Sequence, residues 1–146
     1  VQPPTDDIVE LRALAFAYAH GADRNDPQTF LSAFHPDGRL LIFTDSADPS
    51  PRAVRTGAEE LAAVPGMLTR YERTFHFVGN YRYEVDGDGA RGEIYCLAHH
   101  LSTSGERHTD SVMHIRYLDR YRRDPEGAWR IAEREVRTDW TEVRTW

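Results

Sequence analysis

Lysine is missing from this chain, and all 18 of its basic residues are arginine. Without lysine there is no Schiff base, no catalytic ammonium group and no lysine-terminated phosphate loop. Cysteine is almost missing too. The one thiol, Cys96, can form neither an intramolecular disulfide nor a cysteine metal cluster, and it reads as a small buried hydrophobe. Positive charge is in deficit, with a formal net charge of -6 and a pI of about 5.6. That argues against nucleic acid or an anionic membrane as a partner. No apolar run approaches the roughly 18 residues that span a bilayer. The leader "VQPPTDD" lacks the basic-then-apolar pattern of a secretory signal, so a cytoplasmic protein is expected. The absent initiator methionine fits processing or trimming. Repeats, low-complexity tracts and Gly/Ser linkers are also lacking, so residues 1–146 read as one domain with one core and one site.

The order of elements is helices first, strands after. Thr5 or Asp6 can cap a first helix whose apolar residues Ile8, Leu11, Leu14, Ala15 and Tyr18 follow the i, i+3, i+4, i+7 rule, ending near Gly21 to Asp23. "DPQTFLSAF" starts a shorter helix, with Asp26 as N-cap and Pro27 at the first position, expected to end at "HPDG". "RLLIFTD" is a strand, and "SADPSPRAVRTG" is a loop of lid character. "AEELAAVPGMLTRY" is helical, split or kinked at Pro65-Gly66. From residue 72 four β-rich runs follow, 72–86, 90–103, 107–123 and 128–140, separated by the hairpin turns "DGDG", "TSGE" and "DPEG". The class is therefore α+β, a strongly curved and mainly antiparallel sheet folded over N-terminal helices to enclose a conical cavity.

Strand alternation then sorts the side chains. In "RTFHFVGN" residues Thr74, His76 and Val78 share one face while Phe75, Phe77 and Gly79 share the other. In "GEIYCLAHHL" the set Gly92, Ile94, Cys96, Ala98 and His100 is small and apolar and ends in an imidazole, as a pocket wall would. His99 and His100 point to opposite faces, and His108 and His114 lie roughly 20 Å apart at strand rise, so the seven histidines make a poor metal site. His76 is either a satisfied structural residue or a base. Asp23, at the end of the first helix, can accept a hydrogen bond from an imidazole and hold its tautomer, leaving the other nitrogen free. In the last strand Arg134 and Arg137 fall on opposite faces. Only one can enter a cavity, where it would hold a carboxylate, enolate or leaving group.

Taken together, "ADRND" after the first helix, "RTFHFVGNYRYEV", "GEIYCLAHH" and the closing "YRRDPEGAWRIAERE" resemble the SnoaL-like, NTF2-like (cystatin-like) conical barrels. Within them the chain is similar to the branch containing scytalone dehydratase, bile-acid 7α-dehydratase and hexachlorocyclohexane dehydrochlorinase. The resemblance runs from about Asp7 to Trp140. It implies an Asp–His pair for proton abstraction at Asp23 and His76, a polar residue near the leaving group at Tyr18, and a last-strand arginine at Arg134. It also implies a second histidine at His100 and a pocket-lining aromatic at Tyr71. The pocket would take its shape from Phe16, Phe43, Tyr71, Ile94, Cys96, Met113 and Tyr117.

The implied activity is cofactor-free acid–base chemistry on a small hydrophobic, aromatic or polyketide-like substrate, with elimination of water first. Isomerisation or ring closure can begin from the same deprotonation. A non-catalytic ligand-binding or association module is the reading from a different class. The resemblance also implies a homotrimer or homodimer, and Tyr81, Tyr83, Tyr95 and Tyr117 are expected on free sheet faces buried between subunits.

Overall fold

The structure is a computed structural model that describes residues 3–146, so the first two residues of the leader lie outside it. Helix α1 spans Thr5–Asp23 and buries Leu11, Leu14, Ala15, Tyr18, Ala19 and Ala22 along one stripe. Its N-cap is Pro4, with no side-chain cap, instead of the expected Thr5 or Asp6. Asp7 is turned inward and ties the helix start to the far end of the sheet, accepting Trp129 Nε1–H at 2.8 Å and Arg123 Nη2–H at 2.6 Å.

Asn25, in the left-handed region with φ 49°, turns the chain into α2, Pro27–Ser32. As expected, Asp26 caps α2 by accepting Thr29 N–H at 3.1 Å. The two helices meet at Gly21, where an added Cβ would stand 2.5 Å from the Phe30 backbone nitrogen, so only glycine allows this approach.

Strand β1 covers Phe34–Phe43 and takes in "HPDG", which was expected to end a helix. The extra residues are accommodated by a register shift between Phe34 and Arg39. Part of the expected lid is also strand: β2, Ala53–Thr56, pairs antiparallel with β1. The segment before β2 is tied to the sheet, since Ser46 N–H donates to the Thr138 carbonyl and Arg137 Nη1 donates to the carbonyls of Ser46 and Asp48. Residues 57–70 split as expected, but at Ala63, with Pro65 and Gly66 inside the next short helix: α3 (Gly57–Ala62), α4 (Val64–Met67) and a 3-10 turn (Leu68–Arg70).

Four long strands complete the sheet: β3 (Arg73–Asp86), β4 (Gly89–Ser104), β5 (Arg107–Arg123) and β6 (Trp129–Thr145). The strand order is β2-β1-β6-β5-β4-β3, antiparallel throughout except for the parallel β1–β6 pair. The sheet is strongly bent and open, with β2 and β3 as its two edges. Bulges at Val78/Tyr81, His114/Ile115 and Arg120/Tyr121 supply curvature by adding unpaired residues that increase twist.

The α+β architecture agrees with the sequence reading, but the cone interior is packed. Tyr18, Phe30, Ile94, Ala98, Tyr117 and Ile131 are among its contiguous buried side chains. Tyr83 and Tyr117, expected on free faces, are 7% and 1% exposed inside the cone, because the β3 bulge shifts Tyr83 to the inward parity. Tyr81 and Tyr95 remain exposed. No helix among the described residues is long and apolar enough to cross a membrane.

Candidate active site

Edge strand β3 and the end of α1 build the site together. The His76 N–H points away from β4, where an edge strand would leave it without a partner. Asp23, the last residue of α1, meets it: Oδ2 accepts the His76 backbone N–H at 2.8 Å. The other oxygen, Oδ1, lies 2.6 Å from His76 Nδ1 and accepts Thr74 Oγ1–H at 2.9 Å. One carboxylate thus caps the sheet edge, joins helix to sheet and orients the imidazole. Burial pushes the Asp23 pKa up, but the His76 ring and backbone hydrogen bonds, the imidazole charge and Thr74 together hold it below its ordinary value. An ionised carboxylate only accepts, so His76 Nδ1 carries the hydrogen, and in the neutral ring it is Nε2 that holds the lone pair. No hydrogen bond within the described residues engages Nε2.

His100 lies beside it on β4, with ring centroids 5.9 Å apart and nearly perpendicular. Its Nδ1 is 3.2 Å from the Ser111 carbonyl oxygen, its cross-strand partner. A carbonyl can only accept, so this ring also carries its hydrogen on Nδ1. Burial lowers the His100 pKa, with the hydrogen bond to Ser111 opposing and His76 adding to the fall. His100 is therefore a neutral acceptor. Tyr71 packs against it with ring centroids 4.8 Å apart.

Deeper in the cone stand Tyr18, Cys96, Tyr117 and Arg134. Burial pushes the Tyr18 hydroxyl up to about 12 against the pull of Arg134, and pushes the Cys96 thiol up to about 11, so both hold their protons at neutral pH. Arg134 enters the interior, as one of the two last-strand arginines was expected to, and Arg137 packs over Phe43 at 3.7 Å from the ring centroid. The guanidinium is fully buried between the rings of Tyr18 (4.4 Å) and Tyr117 (4.0 Å). Its Nε and Nη2 donate to the two oxygens of Asp119 at 2.9 and 2.7 Å. Tyr121 donates to the same carboxylate at 2.5 Å. Burial alone would lower the Arg134 pKa, and Asp119 more than offsets it. Nη1 has no partner.

The open volume adjoining the dyad is not the cone interior. It is a groove of about 770 Å³ between α1 and the β3 edge, walled by Phe16, His20, Asp23, Phe75, His76 and Phe77 among others. Asp23, His76 and Phe16 are thus brought to one opening, with Tyr71 and His100 behind them. Tyr18, Cys96, Tyr117 and Arg134 form the packed layer underneath. Ile94 is core, Met113 is half-buried opposite Ala98, and Phe43 lies apart beneath Arg137. Among the described residues no cluster of three or more His, Cys, Asp or Glu could hold a metal ion.

The sequence reading missed Thr74 as a carboxylate ligand, Ser111 as the group fixing the His100 tautomer, and Asp119. A signal for Asp119 existed. Alternation along β5 places it inward between Tyr117 and Tyr121, where an unpaired carboxylate is too costly, and Arg134 is its register partner on β6.

Residues 3–135 match a family model described as a SnoaL-like domain. No curated protein sequence matches the chain significantly. Among solved structures, a Mycobacterium tuberculosis protein of unknown function is 26% identical, with a TM-score of 0.75 over 94% of this chain and 76% of that one. A Novosphingobium aromaticivorans protein provisionally named a scytalone dehydratase is also 26% identical, with a TM-score of 0.74 over 95% and 91%. The hexachlorocyclohexane dehydrochlorinase of Novosphingobium barchaimii superposes with a TM-score of 0.78 over 93% and 88%, but at 16% identity that likeness concerns the fold.

Proposed function

Since the chain belongs to the SnoaL-like domain family, we propose that it is a cofactor-independent acid–base enzyme, a dehydratase-type lyase acting on a small hydrophobic, aromatic or polyketide-like substrate. The observation that carries this reading is the Asp23–His76 pair, whose one free imidazole nitrogen adjoins the groove walled by Phe16, Phe75 and Phe77. A merely structural histidine needs no second carboxylate contact on its backbone and no adjoining groove. The name given to the 26%-identical Novosphingobium protein favours elimination of water among the reactions that begin with deprotonation.

In this reading His76 Nε2 takes a proton from the carbon next to a carbonyl, and the C–H electrons form the new double bond as the neighbouring C–O bond breaks. Asp23 stabilises the imidazolium that results. His100 Nε2 accepts a hydrogen bond from the substrate hydroxyl and holds the departing oxygen over the dyad. The proton that His76 has taken returns through groove water to the departing hydroxide, which leaves as water, while Tyr18 keeps its proton in the packed layer beneath the site. That transfer leaves His76 neutral again, ready for the next cycle.

The test is turnover of a panel of β-hydroxy aromatic and polycyclic ketones, followed by the absorbance of the conjugated product. Wild type should dehydrate at least one member, and His76→Ala should lose roughly 10²- to 10⁴-fold in rate while keeping its circular dichroism and melting temperature. A His76→Ala protein that unfolds, or that turns over as wild type does, would return His76 to a structural role.

A further inference from the structure

The groove at the dyad has two banks of matched spacing. Along α1 the exposed side chains of Arg12, Phe16, His20 and the C-cap Arg24 follow one another at i, i+4 intervals, about 6 Å apart along the helix. Along β3, Arg73, Phe75 and Phe77 share one parity, roughly 6.6 Å apart. Helix and strand run in opposite directions, since Asp23 bonds Thr74 and His76 at one end and the Arg12 guanidinium lies 4.8 Å from the Tyr81 ring centroid at the other. Phe16, Phe75 and Phe77, at 49%, 61% and 60% exposure, therefore flank the middle of the opening. Arg24 and Arg73, the chain neighbours of the bonded Asp23 and Thr74, stand together at one end.

The two ends differ in what their arginines hold. Arg12 is engaged by aromatic faces, that of Tyr81 and, at 5.7 Å, that of Phe16. Neither guanidinium at the other end, Arg24 or Arg73, has a hydrogen bond or ion pair among the described residues, although the chain carries 24 acidic residues against 18 basic ones. The acids that share the opening are already engaged, Asp23 by His76 and Thr74 and Glu72 by the Thr103 hydroxyl. Two neighbouring guanidinia without an internal counter-ion repel each other, and an anion with forked oxygens relieves that repulsion. Arg134, on the last strand, is committed to Asp119 below.

We infer that the substrate of the enzyme reading above, on which this step rests, is an aromatic acid. Its ring body lies between Phe16 on one bank and Phe75 and Phe77 on the other, and its carboxylate is held by Arg24 and Arg73. Arg73 is roughly 10 Å from His76 at strand rise, so the carboxylate is remote from the reacting carbon, with the ring system between them. A carboxylate is favoured over a phosphate monoester because Asp23 and Glu72 also face the opening and repel a second negative charge. Holding that remote group fixes which C–H bond comes under His76 Nε2.

The experiment is calorimetric titration with three probes that cannot be dehydrated: naphthoate, its neutral methyl ester and naphthyl phosphate. Wild type should bind naphthoate at least about 10-fold tighter than the ester, and tighter than the phosphate. Added salt should weaken binding of the acid and leave that of the ester unchanged. The double substitution Arg24→Gln/Arg73→Gln should abolish the preference for the acid while the ester binds as before. Arg91→Gln, an exposed arginine of β4 opposite Glu84, should keep the preference. If the double variant misfolds, Arg24→Gln and Arg73→Gln measured singly should each lose at least about 3-fold of it. No binding of naphthoate by wild type at millimolar concentration, equal affinity for acid and ester, tighter binding of the phosphate, or a preference that survives these substitutions overturns the inference. Turnover is not read in these titrations. An active enzyme that binds acid and ester alike defeats this inference alone, and a protein inert toward every ketone that still prefers the acid defeats the enzyme reading alone.

Discussion

The cone holds two carboxylate–base pairs, one at its mouth and one at its floor. Asp23 and His76 meet at the junction of α1 and β3 with side chains 19% and 8% exposed, and one imidazole nitrogen remains free toward the groove. Asp119 and Arg134 meet across β5 and β6 with no exposure at all, and three of their polar contacts are spent on each other and on Tyr121. Similar chemistry serves different ends. A pair with an unused lone pair at a solvent-reached wall can move protons, while a sealed pair holds strands in register.

The sharpest way to break that contrast is at the floor. Asp119→Asn leaves Arg134 buried without its counter-charge and should destabilise the protein by about 3–5 kcal/mol in urea unfolding, whereas replacing both partners with apolar groups of similar volume should cost far less. A soluble, wild-type-stable Asp119→Asn would show that the pair is not structural. The junction can also be disturbed without touching a titrating group. Gly21→Ala drives a methyl into the Phe30 backbone and should cost about 1–3 kcal/mol, and it should lower turnover further by displacing Asp23 from β3. Thr74→Val removes one of three hydrogen bonds to Asp23 and should cost roughly 0.5–1.5 kcal/mol with a modest loss of turnover.

The smallest effect is on the acid side. The folded-state pKa of His100 is depressed, so an unfolded chain takes up its proton more readily. Its stabilising contribution is whole above about pH 6.5 and is lost as pH falls through the lowered folded value. Asp23, also depressed, adds a second loss below the ordinary carboxylate pKa of about 3.9. Melting temperature against pH should show the first limb in wild type and lack it in His100→Gln.

Much of the mouth was legible in the sequence because it depends on local rules. Period-two alternation places His76 and His100 inward, the end of an amphipathic helix places Asp23, and glycine-rich turns separate the long strands. The floor depends on tertiary register. Asp119 meets Arg134 only once β5 and β6 are aligned between two bulges, and bulges leave little mark in a single sequence. The short β2 is another case: four residues after two prolines become strand only because β1 offers an edge. The cavity was misplaced for a related reason, since side-chain volume decides whether a cone is hollow, and Tyr18, Tyr117 and Arg134 fill this one.

The most direct measurement compares Asp23→Asn with wild type for turnover of a responsive β-hydroxy ketone and for urea stability on the same preparations. If the mouth pair does the chemistry, turnover should fall by about 10²–10⁴-fold while the protein stays folded at the assay temperature. Unchanged turnover in a folded Asp23→Asn would contradict the account.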